Sequence, residues 1–162
     1  MQFDLNEDQA LLRTSTRELL ENEAALADTR AVMEETSEGY AKAMHGQLGE
    51  LGYTGLLLPE EAGGMGAIAF AIVMAEMGRV AFPGPFLDLA LAIRTLADCT
   101  GEVAESWLQK AISGESLVVL ARTEDLTNAD PARAAIHFDR GRISGSKGFV
   151  PCQRIGFTRK IP

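Results

Sequence analysis

The sequence predicts a mainly α-helical protein, an N-terminal helical bundle followed by a short, incomplete antiparallel β segment. Three observations carry this. Leu5, Leu12, Leu19 and Leu26 recur at helical spacing, with Leu11 and Leu20 widening the stripe. Nearly every residue of 67–80 is apolar or small, which suits a central helix buried on most sides. After Gly114 the apolar period shortens to that of a strand.

The elements follow in order. Asn6 is placed to cap the first helix, Gln9 to reach back to it, and Glu7 and Asp8 to face the positive end of the dipole. One helix of about twenty residues running through Leu26 is the expectation. A second helical stretch starts near Ser37, with Tyr40, Met44, Leu48 and Leu51 on one apolar face and Gly52 ending it. Gly63, Gly64 and Gly66 then break the chain before the apolar helix. Pro83, Gly84 and Pro85 break it again, and two more helices are expected near 86–97 and 102–112, closed by Ser113 and Gly114. Residues 116–122 read as a strand and 123–133 as a polar loop. Residues 134–139 and 142–144 form a hairpin about Arg140-Gly141, with 145–151 continuing its second strand. The expected division is 1–115 helical domain, 116–151 partial β-domain and 152–162 tail.

Composition narrows the function. A chain of 162 residues buries roughly 70% of its unfolded surface, enough for a core without disulfide or metal staples. Fifteen basic against twenty-three acidic residues give a charge of −8, which argues against a nucleic-acid partner. No apolar run is long enough to cross a bilayer, and the acidic N-terminus is unlike a signal peptide, so no membrane association and a cytoplasmic location are expected. Charge is uneven: residues 140–162 carry six bases and no acid, leaving −14 on residues 1–139.

Chemistry-bearing motifs are sparse. Gly63-Gly64-Met65-Gly66 lacks dinucleotide spacing and reads as a turn packed against a helix start. Gly141 to Lys147 superficially resembles a P-loop, but Ser146 separates Gly145 from Lys147 and no helix follows to aim its amides. His45 and His137 have no second ligand at metal spacing and read as surface or core packing. Adjacent Glu60 and Glu61 read as solvated carboxylates. Trp107, Leu108 and Ile112 are expected to pack the last helix onto the bundle, and Met44, Met65, Met74 and Met77 to fill the core. No complete catalytic site appears.

The order of these segments resembles the acyl-CoA dehydrogenase family. The match runs from Phe3-Asp-Leu-Asn-Glu-Asp-Gln9 through Leu48-Gly-Glu-Leu-Gly-Tyr-Thr-Gly-Leu-Leu-Leu-Pro-Glu-Glu61, the Gly63–Gly66 turn and Ala75-Glu-Met-Gly-Arg79. It continues through Pro83-Gly-Pro-Phe86, Trp107-Leu108, Ala121-Arg-Thr-Glu124 and Ile143-Ser-Gly-Ser-Lys-Gly-Phe-Val-Pro151. The resemblance implies the N-terminal domain and start of the middle domain of an FAD-dependent oxidoreductase. Such enzymes remove the α-proton of an acyl-CoA thioester while flavin N5 takes the β-hydride, which needs base, flavin and oxyanion donors on one buried substrate.

Several site roles follow from that resemblance. Thr123 is expected to hydrogen-bond the isoalloxazine edge, lined by Leu120 and Arg122, with Phe149 packing on a ring. Pro151 stands where the family carries a threonine and offers neither hydroxyl nor amide donor. Asn128, Ala129 and Asp130 stand at the family's Gly-Ser-Asp, so Ala129 and Asp130 are the candidate substrate contacts. The family's catalytic glutamate lies in a C-terminal region that this sequence does not match, so no catalytic residue is assigned. Residues 152–162 match nothing in the family and read as a truncated or frameshifted end. Three functions are compatible: a dehydrogenase segment inactive alone, a partner subunit in a homo- or hetero-oligomer with dehydrogenase-like chains, and an unrelated helical interaction module.

Overall fold

The computed structural model describes residues 4–23, 26–35, 39–124 and 135–152. Among them are six α-helices: α1 (Glu7–Glu23), α2 (Leu26–Glu35), α3 (Lys42–Glu50), α4 (Gly66–Arg79), α5 (Phe86–Ala97) and α6 (Glu102–Ile112). Two strands follow, β1 (His137–Asp139) and β2 (Arg142–Ser144). The mainly helical architecture with a short β segment is as the sequence predicts.

Local chemistry explains most boundaries. At the start of α1 the Gln9 amide donates to Asn6 Oδ1 at 2.8 Å, and the Asn6 amide donates to Gln9 Oε1 at 3.1 Å. That reciprocal pair satisfies donors the helix itself leaves free. The described part of α1 ends at Glu23, and Leu26 opens α2; the junction at 24–25 lies outside the described residues. The last turn of α1 carries acids and no base, so the helix dipole gains no support there. The start of α3 also differs from expectation. Gly39 takes a left-handed φ of 71°, and the Ala41 amide bonds the Pro83 carbonyl at 3.3 Å, so Tyr40 precedes the helix. Gly52 does end this region, with φ 80°, and Leu51 is left exposed.

Two clusters form the core. In the first, Leu20, Met44, Leu48, Tyr53, Leu56, Phe70, Val73, Met77 and Phe86 bring α1, α3, α4 and the start of α5 together. Phe70 and Phe86 stack with ring centroids 5.9 Å apart. In the second, Leu89 and Ile93 of α5 meet Ala111, with Leu108 and Ile112 packed against them. Leu11 stays 68% exposed, so the α1 stripe is narrower than its leucines suggest. Trp107 is 48% exposed, under the Lys110 ammonium at 5.6 Å, and leaves Leu108 to make the contact expected of it. Helix α4 is not buried all round. Ala69, Phe70, Val73 and Met77 face inward, while Ile68, Ala71 and Ala75 are exposed on the flank that no described helix covers.

Glu76 is the polar exception on the inward side of α4. Its carboxylate, 4% exposed, takes the Arg17 guanidinium through two bonds of 2.9 and 2.8 Å and Arg79 at 3.0 Å. The Arg17 hydrogen bond holds the Glu76 carboxyl below the usual range, against the opposing effect of burial. Its folded pKa is therefore depressed. The stabilisation is present above the unfolded carboxylate pKa of about 4.3 and is lost as pH falls through the folded value.

Beyond α6 the structure departs most from expectation. Residues 117–123 form no ladder among the described residues, because a strand exists only where a partner takes its amides and carbonyls. The hairpin is present but short, pairing Phe138 with Ile143 about Arg140 and Gly141, whose positive φ values of 48° and 77° suit a tight two-residue turn. Residues 145–151 do not extend β2. Gly145 lies at φ 149° and Phe149 at φ 55°, which breaks the extended run.

Candidate functional site

The site is built on the bend between α4 and α5 and on the segments it meets. Phe82, Gly84, Pro85 and Phe86 of that bend line two neighbouring clefts. One is a groove of about 250 Å3, open to solvent and walled by Met74, Met77, Gly78, Leu87 and Asp88. The other is narrower, walled by Tyr40, His45, Leu48, Leu89 and Leu117. Proline and glycine here end one helix and start the next within a few residues, leaving an apolar wall with few polar atoms.

His45 lies buried at the narrow cleft, its ring edge-on to Tyr40 at 5.7 Å. Its Nε2 has no hydrogen-bond partner among the described residues. Burial pushes the imidazole below its ordinary value, and a hydrogen bond with the Ser116 backbone opposes this. The unfolded chain thus binds a proton more readily, so stability is complete above about pH 6.5 and falls as pH drops below it. His45→Gln is expected to flatten the melting temperature between about pH 7 and pH 5, a slope readable in thermal scans.

The described cofactor candidates lie after α6. Leu120 is half-buried, Arg122 is exposed, and Thr123 is half-buried. The Gly148 amide donates to the Thr123 carbonyl at 2.8 Å, which sets Thr123 beside the segment carrying Phe149 and Pro151. The Thr123 hydroxyl has no partner among the described residues. Phe149 is 70% exposed and has a strained left-handed φ of 55°. The chemistry of the pair, a hydroxyl and an exposed aromatic ring on joined segments, is of the kind a flavin edge needs, with no contact between the two side chains described. Pro151, half-buried, offers packing only. Ala129 and Asp130 lie outside the described residues.

Cys152 joins this segment to the clefts. Its thiol lies 3.7 Å from the Gly39 carbonyl oxygen, and burial and the nearby Asp88 carboxylate push its pKa up. Cys152 therefore lies near the α5 start that lines the groove.

Sequence reasoning missed three features that shape this region. Glu124 accepts from Lys147 at 2.7 Å and from the Ala135 amide at 2.6 Å, and the Lys147 bond is the main reason its carboxyl sits below the usual range. No spacing links residues 124 and 147. Glu76 was detectable as the one carboxylate in an apolar helix. Buried His45 shares its cleft with Pro83 and Leu117, which no local pattern places there. No helix among the described residues is long and apolar enough to cross a membrane, and no cluster there could hold a metal ion.

Comparison with known proteins assigns the family. Residues 6–115 match the acyl-CoA dehydrogenase N-terminal domain. The chain is similar to acyl-CoA dehydrogenase IpdE2 of Mycobacterium tuberculosis, 30% identical over 161 residues, covering 96% of this chain and 50% of that protein. It is 35% identical to IpdE2 of Mycolicibacterium smegmatis over 163 residues, covering 97% and 51%. The chain thus spans about half the length of the curated relatives it matches. Among solved structures, the Tcur3481-Tcur3483 steroid ACAD G363A variant superposes with a TM-score of 0.74 at 26% identity, covering 90% of this chain and 42% of the other. With the domain match extending from the capping box of α1 to the loop after α6, this chain belongs to the acyl-CoA dehydrogenase family.

Proposed function

We propose that this chain supplies one wall of an FAD-dependent site acting on an acyl-CoA thioester, and that its described residues do not complete that site. The observation that supports the reading is the Thr123–Gly148 backbone bond, which joins the segment of Thr123 to the one that carries the exposed Phe149. When bound, FAD supplies the hydride acceptor. Thr123 would hold its edge, Phe149 would pack on it, and Leu120 and Arg122 would line it. The division into a helical part to residue 115 and a β part beyond it fits this arrangement, with the bend between α4 and α5 offering an apolar groove for the acyl portion. The similar solved structure is named a steroid ACAD, which favours a bulky acyl group, and the open mouth of the groove is compatible with one. An acidic chain with no membrane-spanning helix among its described residues suits a cytoplasmic enzyme of this kind.

The glutamate that serves as base in this family lies in a region this sequence does not match, and a weakly acidic thioester proton is not removed without a positioned base. The purified chain mixed with FAD and acyl-CoA thioesters is therefore expected to leave an electron-accepting dye unreduced. FAD should nevertheless shift the NMR signals of Thr123 and Phe149. Dye reduction by the chain alone would overturn the incomplete-site reading, and unmoved signals at saturating FAD would overturn the flavin wall.

A second reading has its own support. The similar solved structure is named for two proteins, Tcur3481 and Tcur3483, which favours a chain of this kind working beside a second dehydrogenase-like subunit. The exposed flank of α4, with Ile68, Ala71 and Ala75, is an available face for such a subunit. Sedimentation with a full-length relative should give a heavier species, and independent sedimentation would count against it.

A further inference from the structure

A single ammonium group is bound to both neighbours of Thr123. Lys147 Nζ donates to Glu124 Oε1 at 2.7 Å and to the Arg122 carbonyl oxygen at 3.2 Å. Thr123 itself is held through its carbonyl by the Gly148 amide at 2.8 Å. The second Glu124 oxygen takes the Ala135 amide at 2.6 Å, tying the approach to the hairpin into the same knot. Three consecutive residues, 122 to 124, are thus fastened to two consecutive residues, 147 and 148.

This pair differs from the surface ion pairs. The Lys147 and Glu124 side chains are 20% and 14% exposed, whereas those of Arg94 and Asp98 are 40% and 66% exposed. Solvent screens the exposed pair to little net effect, while removing one partner of a shielded pair leaves the other charge poorly solvated. Residues 117–123 have no ladder among the described residues, so a strand register does not hold them. The clasp does, and it engages the backbone of 122 and 123, while the Thr123 hydroxyl has no partner among the described residues.

We infer that Lys147 is a positioning residue that, through Glu124 and the Arg122 carbonyl, sets the register of Thr123 against Gly148 and Phe149. Its consequence for flavin rests on the function proposed above; the clasp itself does not. An ammonium fits this place because it is a compact charge whose separate donors reach a carboxylate and a carbonyl together. Methionine keeps the length of the side chain and removes every donor.

The test uses the full chain with Lys147→Met, Lys147→Arg, Glu124→Gln and the Lys147→Met/Glu124→Gln pair. Amide exchange is read at Gly148 and Ala135, with α5 amides as the control for folding. Each neutral single variant should exchange about tenfold faster or more at Gly148, with α5 unchanged. The double variant should be no worse than the worse single, as for residues acting as one unit. Lys147→Arg, which keeps charge and donors, should recover much of the protection.

The functional half is read from the FAD-induced NMR shift at Thr123, expected to be lost in Lys147→Met and regained in Lys147→Arg. Unchanged Gly148 exchange in Lys147→Met overturns the inference. So does a wild-type shift at Thr123 that survives in that variant. If FAD moves no signal in the wild type, the flavin reading falls, and the exchange data alone decide the positioning role. Loss of α5 protection in Lys147→Met, with Glu124→Gln leaving Gly148 unaffected, also counts against it.

Discussion

Ile93→Ala is expected to lower stability by about 3 to 4 kcal/mol, read as a shift of the chemical denaturation midpoint at unchanged slope. Ile93 is fully buried, and its cluster joins α5 to Leu58 and to α6 through Ala111. The lost methyl and methylene groups forfeit their transfer energy. A further cost arises because Leu58, Leu89 and Ala111 sit on three different elements and cannot all close on the gap. By contrast, Leu11→Ala should change stability by less than about 0.5 kcal/mol, because Leu11 is largely in water already. A midpoint shift below about 1 kcal/mol for Ile93→Ala would mean that the surrounding side chains close on the gap after all.

Gly49→Ala is the second large effect expected, and its sign is set by two opposing magnitudes. Alanine inside a helix normally gains about 1 kcal/mol over glycine. At Gly49, however, an added Cβ would collide with the Ser113 carbonyl carbon and come within 2.5 Å of the Gly114 nitrogen. Both are backbone atoms, so no side-chain rotation relieves the clash, and the overpacking cost of about 3 kcal/mol or more prevails. Gly114 is constrained from its own side: its φ is 74°, and a Cβ added there would lie only 2.8 Å from the Gly46 Cα. The crossing of α3 over the exit of α6 is therefore a glycine-to-glycine contact. Thermal scans of Gly49→Ala should show a large loss, whereas Gly46→Ala, where an added Cβ has no neighbour within 4 Å, should be neutral or stabilising.

These two predictions bear on function through geometry. The crossing at Gly49 and Gly114 determines where the chain leaves α6, and Leu117 then reaches the narrow cleft beside His45. From there the chain runs to Thr123. A displaced α6 exit would move the whole approach to the proposed flavin edge. Restoring the position of Thr123 would then fall to the Lys147 clasp alone.

Signals confined to a few neighbouring residues were legible without a structure. The Asn6–Gln9 box, the proline bend at 83–85, the boundaries of α5 and α6 and the turn at Arg140-Gly141 all follow from residues within one or two turns of each other. Each depends on local donors, fixed φ values or a local apolar period, which a linear pattern records. The family resemblance rests on the same local segments taken in order.

Tertiary structure decided the rest, because burial and pairing depend on what stands opposite. It exposed Leu11, Leu51 and Trp107 although their spacing fits an apolar face, and it buried Glu76 beneath Arg17 from another helix. Among the described residues it left 117–123 without a ladder, since β character requires a second strand and not only β-forming residues. It joined Glu124 to Lys147 and Thr123 to Gly148 across more than twenty intervening residues. Apolar spacing states which residues seek cover; only the assembled chain determines which of them obtain it, and which polar groups are brought close enough to act together.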